Sequence, residues 1–217
     1  FNLSYIKEYK LINSRSYDMA IENKNSLSED KIVFLDFMVN NEENKAISGN
    51  LPKIDFDNHY YDLVKFLKNI KKLFKKKLVV CIHPRDNFSE KKNIFKDFEV
   101  VQFNTRENIL DSFLVIFFDS SAIIDAIILK KRIITLHSNY LGKPMKDGSD
   151  RYKNQVGILQ LNIKDETKTK NKNQLINILD QNIKNYDNYI IKNIKPDTDE
   201  LGYLKIIRIL KEKYFIS

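Results

Sequence analysis

Two short apolar runs on either side of an apolar helical segment constrain the fold of this chain more than any other feature. The residues predict a buried strand over Phe113–Phe118, a turn over 119–121, a helix over Ala122–Leu129 and a second buried strand over Arg132–Leu136. Apolar strands that flank a helix in this way indicate a β-α-β unit, in which both strands lie parallel in one sheet. A chain that contains this unit is predicted to form an α/β domain.

Further apolar runs continue the alternation along most of the 217 residues. Additional strands are predicted over Lys31–Met38, Lys77–Ile82, Phe98–Phe103 and Val156–Ile163. Additional helices are predicted over 57–75, Thr105–Asp111, Asn171–Ile194 and Asp199–Phe215, and long polar loops over Val39–Asn58 and Asn139–Gln155. This order indicates one doubly wound parallel sheet, a Rossmann-like domain over residues 31–217 with two closing C-terminal helices.

The first 30 residues do not continue the pattern. They are polar and irregular, with a short helix predicted near Ser4–Ile12, and we interpret 1–30 as an N-terminal segment or linker. Because the chain begins with Phe1 rather than Met, we expect it to be part of a longer protein.

The chain is basic, with a formal net charge of +8 from 37 Lys and Arg against 29 Asp and Glu. We expect much of this charge to be a solvated surface. The functional alternative is attraction to anions: nucleotide-sugars, an acidic membrane face or nucleic acid. The Lys71–Lys77 cluster closes a predicted amphipathic helix. Its lysines suit the negative C-terminus of that helix and need no ligand.

Cysteine use and hydropathy indicate the compartment. Cys81 is the one cysteine and lies in an apolar run, which excludes an internal disulfide and a cysteine zinc site and fits a reducing cytosol. No apolar run approaches the roughly 18 residues that span a bilayer. We therefore expect a cytoplasmic protein, with peripheral contact to the inner membrane as a further expectation.

Polar residues follow the ends of the predicted strands. In a parallel sheet these ends meet at one edge, and ligands bind just beyond it. Two of the three histidines in the chain lie there, so this edge is the predicted ligand site. The strand-terminal groups are Asp36-Phe37, His83-Pro84, Phe103-Asn104, Asp119-Ser120-Ser121 and His137-Ser138.

The serine pair after the fourth strand suits a phosphate. Ser120 or Ser121 would cap the helix that begins near Ala122, and the free N–H groups of the first turn would face the same point. Capping alone explains one serine and leaves the second unexplained. The chain has neither G-x-G-x-x-G nor G-x-x-x-x-G-K-[ST], so a dinucleotide fold of the usual kind and a P-loop are disfavoured.

His83 is the second phosphate candidate. Pro84 restricts it to an extended backbone, which fixes its orientation, and its imidazole could donate to a phosphate oxygen or protonate a leaving phosphate. A structural histidine bound to a carbonyl is the alternative. Arg85 in the same turn is a candidate phosphate clamp or a solvated side chain.

The remaining candidates have weaker patterns. Asp125 lies four residues after Ser121, on the same helix face, and would reach a ribose hydroxyl; the alternative is an acid at the favourable end of the helix dipole. For His137, which Ser138 follows, a role in the ligand site and a structural role are equally well supported by the sequence. No H-E-x-x-H spacing occurs and no metal is predicted, and without a G-x-S-x-G elbow a hydrolase triad is disfavoured.

The segment S-S-A-I-I-D-A-I-I-L-K-K-R-I-I resembles the S-x-x-x-E-A-x-x-x-G-x-P-V-I segment in the C-terminal, nucleotide-binding domain of GT-B glycosyltransferases. Asp125 and Ala126 match the acid-alanine pair, and Ile133 and Ile134 match the apolar strand. The chain departs from that pattern at Lys130 and Arg132, and its acid is Asp rather than Glu.

His83-Pro84, followed by Ser120-Ser121, resembles the HP and SS/ST motifs of bacterial sialyltransferases, polysialyltransferases and capsule Kdo transferases. The resemblance covers about residues 30–160. It implies that the histidine and the hydroxyls bind the phosphate of a CMP-sugar, such as CMP-Kdo or CMP-sialic acid, with no cofactor. It also implies a glycan or lipid-linked acceptor and a catalytic Asp or Glu in an N-terminal acceptor domain that is missing from this chain. Asp36 lies at a strand end and is a candidate for a local substitute of that base.

Several alternatives stay open at this point. Within the same fold the chain could be a UDP-sugar transferase, a UDP-GlcNAc 2-epimerase-like enzyme or a CDP-glycerol glycerophosphotransferase. A non-catalytic assembly module with a decayed nucleotide site is the alternative from another class. Nucleic-acid binding is disfavoured, because the basic residues are scattered and form no recognition motif.

Overall fold

A computed structural model of the chain describes residues 14, 16–18, 28–37, 55–165, 171–195 and 200–214. Their strands are β1 (Lys31–Leu35), β2 (Lys77–Ile82), β3 (Glu99–Gln102), β4 (Ser112–Phe117), β5 (Arg132–His137) and β6 (Leu159–Asn162). Their helices are α1 (Phe56–Phe74), α2 (Phe88–Ile94), α3 (Thr105–Leu110), α4 (Ile123–Ile128), α5 (Gly142–Val156), α6 (Lys172–Ile183), α7 (Tyr186–Asn193) and α8 (Gly202–Tyr214).

The six strands form one all-parallel sheet in the order β3-β2-β1-β4-β5-β6. The chain first winds outward from β1 to β3 and then crosses to β4, so the winding direction reverses between β1 and β4. Ligands of open α/β sheets bind in the crevice at such a reversal. The predicted doubly wound parallel sheet is confirmed.

Each face of the sheet carries its own apolar core. Along β1, Ile32 and Phe34 face the core that α1 and α6 cover, whereas Val33 and Leu35 face the core that includes α3, α4 and α7. Side chains alternate between faces along a strand, and both faces are covered here. The central strands are therefore apolar at nearly every position, which explains the continuous apolar runs in the sequence.

Helix α1 shows why this sequence folds as predicted near the site. The Asp55 side chain accepts from the backbone N–H of Asn58 at 3.2 Å and caps the helix. The helix ends where Lys75 adopts a left-handed conformation, with φ of 53°. The buried side chains recur every three or four residues: His59, Tyr60, Leu63, Phe66, Leu67, Ile70 and Phe74.

The predicted polar loop over 139–155 is wrong. A 3-10 turn over Asn139–Leu141 leads into the 15-residue helix α5. The loop signals were Gly142, Pro144 and Gly148, but the first two lie in the opening turn of the helix, where proline is tolerated. Gly148 has a packing role, because a Cβ on it would lie 2.9 Å from the carboxylate of Asp119.

Other differences are smaller. The helix predicted over 171–194 is two helices, α6 and α7, with a break at 184–185. Strand β6 begins at Leu159 rather than at Val156, which still belongs to α5. The predictions for residues 4–12 and for most of the 39–58 loop lie outside the described residues.

Candidate functional site

The predicted strand-terminal residues come together at one edge of the sheet, because all six strands are parallel. His83 directly follows β2, and 119–121 follow β4 with one residue between. Strands β2 and β4 flank β1, so the two turns are about 10 Å apart at strand spacing.

The turn after β2 fixes the tautomer of His83. The backbone N–H of Arg85 donates to Nδ1 of the ring at 3.2 Å, and the N–H of Asp86 donates to the His83 carbonyl at 3.0 Å. Because Nδ1 accepts a hydrogen bond, the proton of the neutral ring lies on Nε2. The half-buried His83 thus presents an N–H donor, which is the form that binds an anion.

Gln102, the last residue of β3, braces the same turn. Its side-chain nitrogen lies 3.3, 3.1 and 3.1 Å from the carbonyl oxygens of His83, Pro84 and Asp86. Three accepting carbonyls around one amide nitrogen hold the turn against the end of the neighbouring strand. Sequence reasoning missed this residue; its polar side chain at a strand end was the one available signal.

The turn after β4 places its two serines differently. The half-buried Ser120 hydroxyl accepts from the N–H of Ala122 at 3.3 Å, while Ser121 is exposed. The carbonyls of both serines accept from the first turn of α4, from Ile123 and Ile124 at 3.2 Å each. Ser120 thus makes a turn bond to Ala122, which is itself the N-cap of α4 and has no side-chain cap, so the predicted serine cap is wrong. The first-turn N–H groups that were predicted to be free donate to backbone carbonyls, and Ser121 is exposed.

Asp119, beside them, is anchored on α5. Its carboxylate lies 3.5 Å from the Arg151 guanidinium, and it approaches α5 closely at Gly148. Helix α5 therefore supports the turn over 119–121.

Asp125 lies deeper in α4 and faces α3. Its carboxylate is 3.9 Å from Nη1 of Arg106. Burial raises the pKa of Asp125, while Arg106 and a hydrogen bond from Ser16 oppose the rise. Within the described residues, Nε and Nη2 of Arg106 are buried without a hydrogen-bond partner. Asp125 thus contacts Arg106, and its ribose contact stays a prediction.

Asp36, the predicted substitute base, is buried in an ion pair. Nζ of Lys91 lies 2.6 Å from the Asp36 carboxylate and 2.6 Å from the Tyr60 hydroxyl, and Lys91 is only 2% exposed. Burial raises the pKa of Asp36, and the positive charge of Lys91 opposes that rise. A carboxylate paired in this way links β1, α1 and α2; its role as a base stays a prediction.

The end of β5 holds the other two predicted residues. Nε2 of His137 lies 3.1 Å from the Asn162 side-chain nitrogen, and burial lowers the pKa of His137. The buried Ser138 hydroxyl lies 3.1 Å from Nδ1 of His59, a contact between β5 and α1. Ser138 also accepts from the N–H of Tyr140 at 3.3 Å. Both residues thus have structural partners at the edge.

His59 is a second residue that the sequence did not single out. It is 1% exposed and packs against the rings of Tyr60 and Phe118 at centroid distances of 5.1 and 5.3 Å. Desolvation lowers its pKa to about 4, so the ring is neutral at pH 7. His59 lies in the polar first turn of α1, so the sequence did not predict that its side chain is buried.

Phe103 is the exposed aromatic residue at this edge. It follows Gln102, is 71% exposed and has a φ of 75°, a conformation that side chains with a Cβ rarely adopt. An exposed ring on a strained backbone next to the His83 turn offers a flat surface to a ligand.

Two absences are limited to the described part of the chain. No three His, Cys, Asp or Glu side chains lie together as metal ligands among these residues. None of the helices that the structure describes is long and apolar enough to cross a membrane.

Three solved structures resemble this one. The wall teichoic acid polymerase TagF with CDPG is 15% identical, with a TM-score of 0.51, over 93% of this chain and 50% of TagF. UDP-GlcNAc 2-epimerase of Methanocaldococcus jannaschii, with UDP-GlcNAc and UDP, is 15% identical over 94% and 54%, with a TM-score of 0.47. Spinosyn rhamnosyltransferase SpnG with thymidine diphosphate is 12% identical over 96% and 53%, also at 0.47.

The chain spans about half the length of each of these proteins. No protein-family model matches the sequence, and no curated protein matches it. The strand order and the likeness to TagF show that the chain has the Rossmann-like fold of one half of a GT-B glycosyltransferase-type protein. The narrower resemblance to sialyl- and Kdo-transferases stays a prediction.

Proposed function

We propose that this chain is the donor-binding portion of a glycosyltransferase that uses a CMP-activated sugar, such as Kdo or sialic acid, to build a bacterial surface polysaccharide. One observation carries the proposal: the His83 turn and the Ser120-Ser121 turn flank the end of β1 at the carboxyl edge of the sheet. The edge where both turns lie is the one at which sheets of this kind bind nucleotides, and this supports a shared phosphate site.

Each group has a role in holding the donor. Nε2–H of His83 donates to a phosphate oxygen, because Nδ1 is occupied by the N–H of Arg85. The hydroxyls of Ser120 and Ser121 donate to the same phosphate. The ring of Phe103 stacks on the base, since aromatic stacking contributes about 1–3 kcal/mol per base.

In the proposed reaction the sugar passes from the donor phosphate to an acceptor hydroxyl. The bond between the anomeric carbon and the phosphate oxygen breaks, and the phosphate leaves with the bonding electrons. The oxygen of an acceptor hydroxyl bonds to that carbon, and its proton passes to a base supplied outside these residues. His83 and the serines stabilise the negative charge that develops on the leaving phosphate.

Calorimetric titration with CMP, UDP and CDP tests the proposal. CMP should bind most tightly, and both His83→Ala and Ser120→Ala should weaken it by about tenfold or more, the loss of a hydrogen bond to a charged group. Ser28→Ala, at an exposed serine away from the site, is the matched control. Tighter UDP binding would favour a UDP-sugar enzyme, and tighter CDP binding a CDP-glycerol transferase. Absence of binding to all three would favour an assembly module.

A further inference from the structure

Six lysines gather at the opposite edge of the sheet, away from the candidate site. They come from the C-terminal part of α1, the connection after it and the first residue of β2. With Asp97 and Phe98 they line an open cavity with a volume of about 840 Å³. We call this surface the lysine corner; its lysines are Lys68, Lys71, Lys72, Lys75, Lys76 and Lys77.

Only two of these lysines are neutralised by a carboxylate within the described residues. Lys68 pairs with Asp97 at 2.6 Å, and Lys77 pairs with Glu99. The other four make no such pair with any carboxylate that the structure describes. The corner therefore carries an excess of about four positive charges.

Two neighbouring cationic side chains at the same edge, by contrast, lie beside carboxylates. The next cationic groups along the same edge are balanced: Lys31 lies 3.4 Å from Asp111, and Arg132 lies 2.7 Å from Asp180 and 3.4 Å from Glu29.

The negative helix C-terminus explains only part of the cluster. Its effect falls off within the last turn, where Lys71 and Lys72 lie. Lys68 is nearly two turns from the end of α1, and 75–77 lie beyond it. The interpretation that the lysines of the Lys71–Lys77 cluster need no ligand thus covers two of its five lysines, and it did not include Lys68.

Aromatic rings hold the cationic groups in place. Nζ of Lys71 lies 5.7 Å from the centroid of the Phe98 ring, and Nζ of Lys76 lies 4.9 Å from that of Phe113. Both rings are partly buried against the core. The charges are therefore arranged on an apolar base, and ordering them on binding costs less entropy than for free lysine side chains.

We propose that the lysine corner binds the surface of an anionic phospholipid bilayer. Compact lysine charges suit the diffuse negative potential of such a surface, to which each adds about 1 kcal/mol. Nucleic acid fits less well, because the corner contains no arginine for bidentate contacts and its partly buried rings are not free to stack on bases.

The geometry leaves the candidate site accessible during this contact. Lys77 opens β2 and His83 follows its end, so the two edges are about 20 Å apart along the strand. A molecule that rests on the lysine corner directs its carboxyl edge away from the bilayer. The proposal stands independently of the nucleotide that the other edge binds.

Vesicle flotation tests the proposal on the full chain. Vesicles of phosphatidylcholine with about 30 mol% phosphatidylglycerol should carry the protein upward, and pure phosphatidylcholine vesicles should not. The quadruple variant K71Q/K72Q/K75Q/K76Q should partition roughly 1000-fold more weakly. Raising the salt concentration to about 0.5 M should release the wild type, because it screens the charges.

The control variant is K172Q/K184Q/K192Q/K211Q, which removes the same charge from exposed lysines outside the corner. It should bind anionic vesicles as the wild type does. Thermal melts and nucleotide titration should show that both variants are folded. The proposal would be overturned if both variants lost vesicle binding equally, or if the wild type did not bind anionic vesicles. It would also be overturned if the wild type bound neutral vesicles equally well or bound duplex DNA in preference to vesicles.

Discussion

The side-chain nitrogen of Gln102 lies 3.1 Å from the carbonyl oxygen of Pro84, so the last residue of β3 holds the turn after β2. The same nitrogen also contacts the carbonyls of His83 and Asp86. The orientation of the imidazole thus depends on a side chain from the neighbouring strand. Gln102 is a positioning residue: it acts on the proposed phosphate contact through the turn.

Gln102→Glu should disturb this turn without a large change in side-chain volume. A carboxylate cannot donate, and it would face three carbonyl oxygens. We expect the free energy of unfolding to fall by about 1–2 kcal/mol and CMP affinity to fall by roughly tenfold in calorimetry. Gln155→Glu introduces the same charge at an exposed position at the end of α5. It should lower the unfolding free energy by at most about 1 kcal/mol, because the helix C-terminus is negative, and it should leave CMP affinity unchanged. If Gln102→Glu bound CMP as tightly as the wild type, the contacts of Gln102 with the turn would not be needed for binding.

Phe103→Gly should separate ligand binding from stability. Glycine adopts a positive φ without strain, so the unfolding free energy should stay within about 1 kcal/mol of the wild type. Loss of the ring should weaken CMP binding by about fivefold or more. The measurement is a titration paired with urea unfolding.

Tyr61→Ala is the matched control, because Tyr61 is an aromatic residue of α1 with the same 71% exposure. It should leave CMP affinity unchanged. If Phe103→Gly bound CMP as tightly as the wild type, Phe103 would not contact the nucleotide. The proposal that the chain binds CMP would still stand, because both proteins would bind it.

The sheet could be predicted because its central strands are buried on both faces, and only apolar residues fit there. The positions of His83 and Ser120 at the carboxyl edge could also be predicted, because each follows a strand and parallel strands end at one edge. The contacts of Gln102 and His59 could not be predicted, because each depends on a partner distant in sequence: the turn at 83–86 and Ser138. Helix α5 was missed for a local reason, since glycine and proline signal loops but also fit a helix start.

Lys91→Met should be strongly destabilising, because it leaves the buried Asp36 carboxylate without its cation. Removing one partner of a buried pair costs about 3–5 kcal/mol. Without Lys91, desolvation raises the pKa of Asp36 further, so the folded state takes up a proton more readily than the unfolded state. The stability deficit of the variant should therefore shrink as the pH falls from 7 toward 5 in urea unfolding.

The double variant Asp36→Leu/Lys91→Met provides the check. With both charges removed, no buried ion lacks a partner, and much of the lost stability should return. A double variant that is as unstable as the sum of its single changes would show that the pair is not energetically coupled.

His59 should make the stability of the fold depend on pH in the opposite direction. Its pKa is lowered from 6.5 to about 4, so between these values the unfolded state binds the proton more readily. The contribution of the neutral ring is complete above pH 6.5 and is lost as the pH falls toward 4, with a limit of about 3 kcal/mol. His59→Gln has no titrating ring, and its unfolding free energy should fall less than that of the wild type over this range. Because Asp36 and His137 titrate equally in both proteins, the difference between the two pH profiles isolates His59. Parallel profiles would mean that the ring reaches water in the folded state, which contradicts its burial between Phe118 and Tyr60.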